Sequence, residues 1–240
     1  MLANNFKNSE YRSPTSLGTA VILVLGGLAA TGVLSVIVSA IMLLWPGISI
    51  PAEGGRSFDL GMVFVGLLAL AQLGLRLLCV ILFLVWLHRA FKNLPVIGAK
   101  YLEFTPGWAV GWWFVPFANL FKPYQIIKEL YASSDLAANP DSEGTTENVG
   151  LWWGTFLCAN IVLRIADGLI GDLDNASKGF AAIFLVGELL FVGAALLCML
   201  IVKRVNTWQT QAISLVAASE VFAPPPPPAF DTDPNEYRTL

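Results

Sequence analysis

The sequence predicts an all-α membrane protein: four transmembrane helices, with a re-entrant or interfacial aromatic helical element between the second and the third. Three observations predict it. Of 240 residues, 56% are hydrophobic and only 13% are charged, where a soluble domain carries about 25% charged residues; the mean hydropathy is +0.67. Four apolar runs reach the length of about 20 residues that crossing a bilayer requires. Between the second and third runs lies TPGWAVGWWFVPFANLFKPYQIIKELYAS, from Thr105 to Ser133. It is too aromatic for an ordinary loop and too often interrupted by proline for a span.

The first run, Leu17 to Trp45, follows Lys7 and Arg12 and stops at Trp45-Pro46-Gly47. It exceeds the apolar stretch of a signal peptide, about 7–15 residues, and no small-residue cleavage site ends it, so it reads as a retained span. The second run is Leu60 to Leu87, the third Leu151 to Ile170 and the fourth Gly179 to Val202. On the first, Gly26 with Ala30 and Gly27 with Thr31 are small residues at helix-packing spacing.

The Lys and Arg residues sort to alternate sides of these runs. Lys7 and Arg12 precede the first; Arg89, Lys92, Lys100, Lys122 and Lys128 lie between the second and third; Lys203 and Arg204 follow the fourth. The two short loops hold Arg56 and Lys178 beside Glu53, Asp59, Asp172 and Asp174. By the positive-inside rule both termini and the middle segment are cytoplasmic. The organisation is thus a cytoplasmic segment 1–16, a membrane domain 17–204 with a juxtamembrane segment 89–150, and a cytoplasmic tail 205–240. Trp45, Trp86, Trp152 and Trp153 fall near span ends, where an aromatic belt is expected.

Arg76, Arg164, Asp167 and Glu188 lie inside the runs. A charge there costs at least about 2.5–3.5 kcal/mol, so such residues turn inward and pair. Arg164 and Asp167 share a helix face; Glu188 lies at a depth similar to Arg164 across the hairpin and is also the acid expected to meet Arg76, with Gln72 one turn away. Two readings of this cluster stay open: buried ion pairs that fix helix register, or a polar pathway for an ion, a proton or a small ligand.

In the middle segment, WLHRAFKNLP carries the second helix out of the membrane, and Pro95 and Gly98 end it. Pro106-Gly107 makes a turn. Trp108, Trp112, Trp113, Phe114, Phe117 and Phe121 suit the interface, where rings prefer to sit. Pro116 removes an amide donor, and Asn119 is the side chain placed to replace hydrogen bonds lost there. A new helix starts at Lys122-Pro123, proline being favoured in a first turn. Tyr124, Ile127, Leu130 and Tyr131 form its apolar face, Lys122, Lys128 and Glu129 its polar one. It is either an amphipathic helix on the membrane surface or a helix packed on the bundle.

The strings WLHRAFKNL and PGWAVGWWFVPFANLFKPYQ, with the paired Trp152-Trp153, resemble the domain-of-unknown-function 4328 family of bacterial integral membrane proteins. The resemblance covers roughly Leu60 to Arg204. It implies a multi-pass protein of the bacterial plasma membrane, and it brings no activity, substrate or cofactor with it.

Other chemistry is excluded or weakly signalled. Cys79, Cys158 and Cys198 all lie in apolar runs, against a disulfide framework. His88 stands without Cys, Asp or Glu at metal-ligand spacing. No phosphate loop, nucleophile elbow or HExxH is present, and no basic patch suits a nucleic acid. The expectation is a protein with no cofactor and no catalytic residues: a scaffold, a sensor or a lipid- or partner-contacting protein, the alternative being a small transporter or channel subunit. Its partners are the lipid bilayer and a protein at the cytoplasmic face or on the proline-rich tail. Residues 205–219 read as a short surface helix with Trp208, Ile213 and Leu215 toward lipid. Pro224 to Pro228 form an extended polyproline spacer.

Overall fold

The computed structural model describes residues 11–44, 60–169 and 177–221. In chain order the helices are α1 (Thr15–Leu44), α2 (Leu60–Asn93), α3 (Pro106–Gly111), α4 (Lys122–Ala138), α5 (Val149–Leu169) and α6 (Ser177–Val221). Two 3-10 turns, Trp112–Phe114 and Ala118–Leu120, join α3 to α4. Helices α1, α2, α5 and α6 are long and apolar enough to cross a membrane. Lys7, Trp45, the loops around Arg56 and Asp172, the side chains of Asp167 and Lys178, and the tail from Pro224 lie outside the described residues.

Helices α1 and α6 pair along most of their length. Helix α2 packs on α1, α5 packs on α6, and α4 lies across α6. The α1–α6 and α5–α6 approaches are close. A Cβ on Gly32 would lie 2.8 Å from Val192, and one on Gly187 would lie 2.7 Å from Leu163. Of the small residues marked in the sequence, Gly27 faces Leu75, while a Cβ on Gly26 would meet open space.

Local sequence explains the helix ends. Helix α2 runs to Asn93 and closes with Gly98 at φ 92°, where the Ala99 N–H donates to the Leu94 carbonyl at 3.0 Å. Thr105 caps α3, its hydroxyl accepting from the Trp108 N–H at 3.4 Å, and Pro106 opens the first turn.

The largest departure from expectation is α6. It has no Gly or Pro between Val202 and Val221, and it continues without a break for 45 residues. That is about 68 Å at 1.5 Å per residue, roughly twice a hydrocarbon core of about 30 Å. Residues 205–219 are therefore not a separate surface helix. Val205, Asn206, Gln209 and Ala212 are buried against the ends of α1 and α2 and against α4.

This one end of the bundle, here the collar, carries the densest core. Trp86, Leu87, Phe91, Leu94, Ile126, Ile127, Leu130 and Tyr131 are all fully buried there. Helix α4 is thus a helix packed on the bundle, its polar face outward. Trp86, Trp152 and Trp153 belong to the interior rather than to an exposed belt: Trp86 reaches Asn206 of α6, and Trp153 lies under the aromatic element, against Trp113 and the Leu120 carbonyl.

A polar network threads the collar. The Trp86 indole donates to Asn206 Oδ1 at 2.9 Å. Asn93 Nδ2 donates to Gln209 Oε1 at 3.1 Å and to the Arg12 carbonyl at 3.0 Å. Gln209 Nε2 donates to the Ala90 carbonyl at 2.9 Å and to Ser134 Oγ at 3.3 Å. These bonds tie the start of α1, the end of α2, α4 and α6 to one another, and they leave the buried amides satisfied.

Candidate functional site

Two features could carry function: the aromatic element of the collar, and a cleft in the membrane-spanning half that this element closes from one end.

The aromatic element has an inner and an outer side. Ala109 is fully buried. Trp113 packs edge-on against Phe83 (centroids 5.4 Å apart) and Trp153 (6.0 Å). The Trp153 indole donates to the Leu120 carbonyl at 2.9 Å. The outer side holds Trp108, Phe114, Phe117 and Phe121, which are 57%, 69%, 83% and 67% exposed.

The reversal between the two sides is made at Pro116-Phe117-Ala118. Phe117 has φ 62° and ψ −42°, and the Ala118 N–H donates to the Pro116 carbonyl at 2.7 Å. This is a γ-turn of the rare positive-φ kind, a conformation that costs of order 1–3 kcal/mol at a residue with a side chain. The turn holds the Phe117 ring away from the bundle. Asn119, expected to supply hydrogen bonds here, is exposed and joins the fold through its backbone, its N–H donating to the Val115 carbonyl at 3.0 Å. Among the described residues the bond from side chain to this backbone comes from Trp153 instead.

Lys122 and Pro123 join the element to α4. Pro123 is buried in its first turn. Lys122 Nζ donates to Gln125 Oε1 at 2.8 Å, lies 3.8 Å from Glu103, and sits over the Phe104 and Trp112 rings at 5.2 and 5.7 Å. Glu129 accepts from the N–H groups of Glu103 and Phe104, which fastens the preceding loop to α4; burial raises its pKa despite those donors. At the other end of α4, burial alone would raise Asp135. Hydrogen bonds from Ser142, the Thr145 N–H and Asn139, with the charge of Arg204, outweigh burial and lower it.

The cleft has a volume of about 260 Å³ and lies between α2 and α5, the two spanning helices that each pack chiefly on another neighbour. Its walls are apolar: Leu25 and Leu28 of α1, Phe83 of α2, Phe156 and Leu163 of α5, and Phe191 of α6. Trp113 and Trp152 close it on the collar side, and Cys79 and Cys198 also line it. Two polar side chains reach it from opposite walls, Arg76 and Asn160.

Arg76 is paired as the sequence suggests. One guanidinium nitrogen donates to Glu188 Oε1 at 3.3 Å, and the group lies 4.5 Å over the Phe191 ring. Glu188 is buried, while the Arg76 side chain keeps 38% exposure. One turn away, Gln72 donates to Ser35 at 2.9 Å. Arg164 stands apart: it is exposed on α5, and no described carboxylate lies within ion-pair distance. Among the described side chains of the four, one pair forms, Arg76 with Glu188, and it joins α2 to α6. Asp167, the other proposed partner of Arg164, lies outside the described side chains. Among the described residues no three His, Cys, Asp or Glu side chains converge as metal ligands.

Asn160, Trp152 and the collar amides were not marked as functional by sequence reasoning. The available signal was polarity out of place: Asn160, Asn206 and Gln209 interrupt long apolar or helical runs.

A family model for a domain of unknown function, DUF4328, matches residues 55–207. The match takes in α2 to α5 and most of α6, and so the aromatic element and the cleft walls other than Leu25 and Leu28 of α1. No curated protein matches the chain, and no solved structure does.

Proposed function

The chain belongs to the DUF4328 family, and on that premise we propose that it is a non-catalytic membrane protein whose collar contacts the lipid of the cytoplasmic leaflet, as a scaffold or sensor at that face. One observation carries the reading: a single ordered element turns Trp108, Phe114, Phe117 and Phe121 outward while anchoring itself through Trp113. Interfacial lipid is the environment that favours exposed rings at the end of a membrane bundle. The charge supports the side. Arg12, Arg89, Lys92, Lys100, Lys122, Lys128, Lys203 and Arg204 belong to segments gathered at the collar end, as the positive-inside rule asks of a cytoplasmic face, and basic side chains there attract anionic lipid by about 1 kcal/mol each.

The test is depth-resolved quenching of single-tryptophan variants in vesicles containing anionic lipid. A shallow doxyl lipid is expected to quench tryptophan at position 108 and a Phe117→Trp variant strongly, and tryptophan at position 113 weakly. Equal, weak quenching at all three positions contradicts the reading.

A transporter or channel subunit is the second reading, favoured by the Arg76–Glu188 pair within the spans. It is less well supported, because Arg164 is exposed on α5 and does not extend that pair into a path.

A further inference from the structure

We propose that the cleft between α2 and α5 is a binding site for an uncharged hydrophobe bearing a hydroxyl or carbonyl oxygen, the chemical class shared by fatty alcohols and quinones, with the polar end and first carbons in the cleft and any longer tail in the bilayer. The inference goes beyond the collar reading and stands without it.

Three features of the cleft define the ligand. The first is shape. The cleft is bounded by α1 and α6 behind, and Trp113 and Trp152 cap its collar end. Helices α2 and α5 bound its two sides, so a molecule enters from the bilayer between them. Its volume of about 260 Å³ is close to the lower end of small-ligand sites, about 300 Å³. It holds on the order of nine groups the size of water, at about 30 Å³ each, which fits a short hydrocarbon chain or one ring with substituents.

The second feature is where polarity falls. Arg76 precedes Phe83 on α2 by two helical turns, or about 10 Å, so the polar residue and the aromatic cap stand at different depths. Across the gap, Asn160 donates its Nδ2 to the Phe156 carbonyl at 2.8 Å. That leaves its Oδ1 as an acceptor on the wall opposite the Arg76 donors. An oxygen seated at Arg76 accepts from the guanidinium, whose buried Nε has no hydrogen-bond partner among the described residues; a hydroxyl can donate as well, and the exposed Asn160 offers an acceptor on the α5 side of the lining.

The third feature is charge. Glu188 is buried and already bonded to Arg76, so the guanidinium needs no second anion. A carboxylate or phosphate would set two negative groups beside one positive group at low dielectric, where like charges repel most. Arg76 also lies well inside the span, too deep for a charged headgroup. The complementary ligand is therefore a neutral hydrogen-bonding molecule.

The experiment uses the full chain in nanodiscs with a diazirine-bearing long-chain alcohol as photolabel, and the labelled residues are mapped by mass spectrometry. Saturable labelling of the α2 and α5 walls near Cys79, Phe83 and Phe156 is expected. Excess dodecanol or a decyl-substituted benzoquinone should compete, and dodecane should not. Competition by dodecanol alone assigns the hydroxyl and by both compounds the shared oxygen, and either supports the site; failure of dodecanol to displace the alcohol label overturns it.

Asn160→Leu and the double variant Arg76→Leu/Glu188→Leu keep the cleft apolar and leave no unpaired charge. Each should weaken alcohol binding about tenfold, the loss of a hydrogen bond worth roughly 1.4 kcal/mol. Ala194→Leu, which places bulk in the cleft, should abolish labelling while the collar fluorescence stays native. Labelling that does not saturate, that dodecane competes equally, or that survives unchanged in both the Asn160 and the Arg76/Glu188 variants overturns the proposal and leaves a groove filled by bulk lipid.

Discussion

The two halves of this bundle are built by different rules. In the collar, large side chains such as Trp86, Phe91 and Tyr131 are fully buried and amides bond to one another across helices. In the spanning half, Leu67, Leu70, Leu77 and Ile161 are about as exposed as side chains on a lone helix, at 61%, 66%, 59% and 60%. Lipid is as apolar as leucine, so no hydrophobic force drives the spans together. They are held by close approach at Gly32 and Gly187 and by the Arg76–Glu188 pair. The collar adds α4, which lies outside the four spanning helices, and a length of α6 beyond one hydrocarbon thickness, so it can use the water-driven packing of a soluble core. The difference teaches that the specificity of this fold sits mainly in its juxtamembrane end, and that the spanning half has freedom to keep a lateral cleft.

If so, the largest losses of stability come from the collar. Trp86→Ala removes a fully buried ring and the indole bond to Asn206, and it is expected to cost about 3–5 kcal/mol, read by reversible unfolding in mixed micelles. Gln209→Leu leaves Asn93 and the Ala90 carbonyl without their buried partner, at about 2–3 kcal/mol. An unchanged midpoint for both variants breaks the contrast between the halves.

The spanning half should respond less. Glu188→Leu strands the Arg76 charge, but that side chain keeps 38% exposure, so the expected cost is about 1–3 kcal/mol rather than that of a fully buried pair. Adding Arg76→Leu should recover most of it. Arg164→Leu, on the exposed side of α5, should change stability by no more than about 0.5 kcal/mol. A larger loss for Arg164→Leu than for Glu188→Leu would reverse the assignment of the pair.

The smallest effect is a pH dependence in the collar. Asp135 has its pKa lowered from 3.8 by hydrogen bonds that outweigh burial. A depressed carboxylate adds stability above its unfolded pKa and loses it as pH falls through the folded value. The collar should therefore lose stability below about pH 4. Asp135→Asn should flatten that slope, measured as the unfolding midpoint against pH.

Much of the fold was legible in the sequence, because span length, flanking charge and helix stops are local signals. Pro95 and Gly98 ended α2 as read, and the Arg76–Glu188 pair followed from the scarcity of charge inside the spans. What was not legible depended on packing partners. The lack of Gly and Pro between Val202 and Val221 lets α6 run on, but nothing local makes that stretch the wall of the collar, since Asn206 and Gln209 look polar until Trp86 and Asn93 are placed beside them. Trp86, Trp152 and Trp153 have the span-end position of belt residues, and their burial comes from distant partners: Asn206 of α6 beside Trp86 and the aromatic element over Trp153. Asn160 gave a polar signal, but its place opposite Arg76 appears only when α2 and α5 are set on either side of the cleft.

Hydrogen exchange of the full chain in nanodiscs tests the account most directly. Helix α4 lies outside the spans, yet Ile126, Ile127, Leu130 and Tyr131 on it are fully buried. The account predicts that the amides of residues 126–135 exchange only through global opening, as slowly as those in the middle of α6, and that Gln209→Leu speeds both together. If α4 exchanges quickly while the spans stay protected, it is a loosely attached surface helix and the collar is not the organising core.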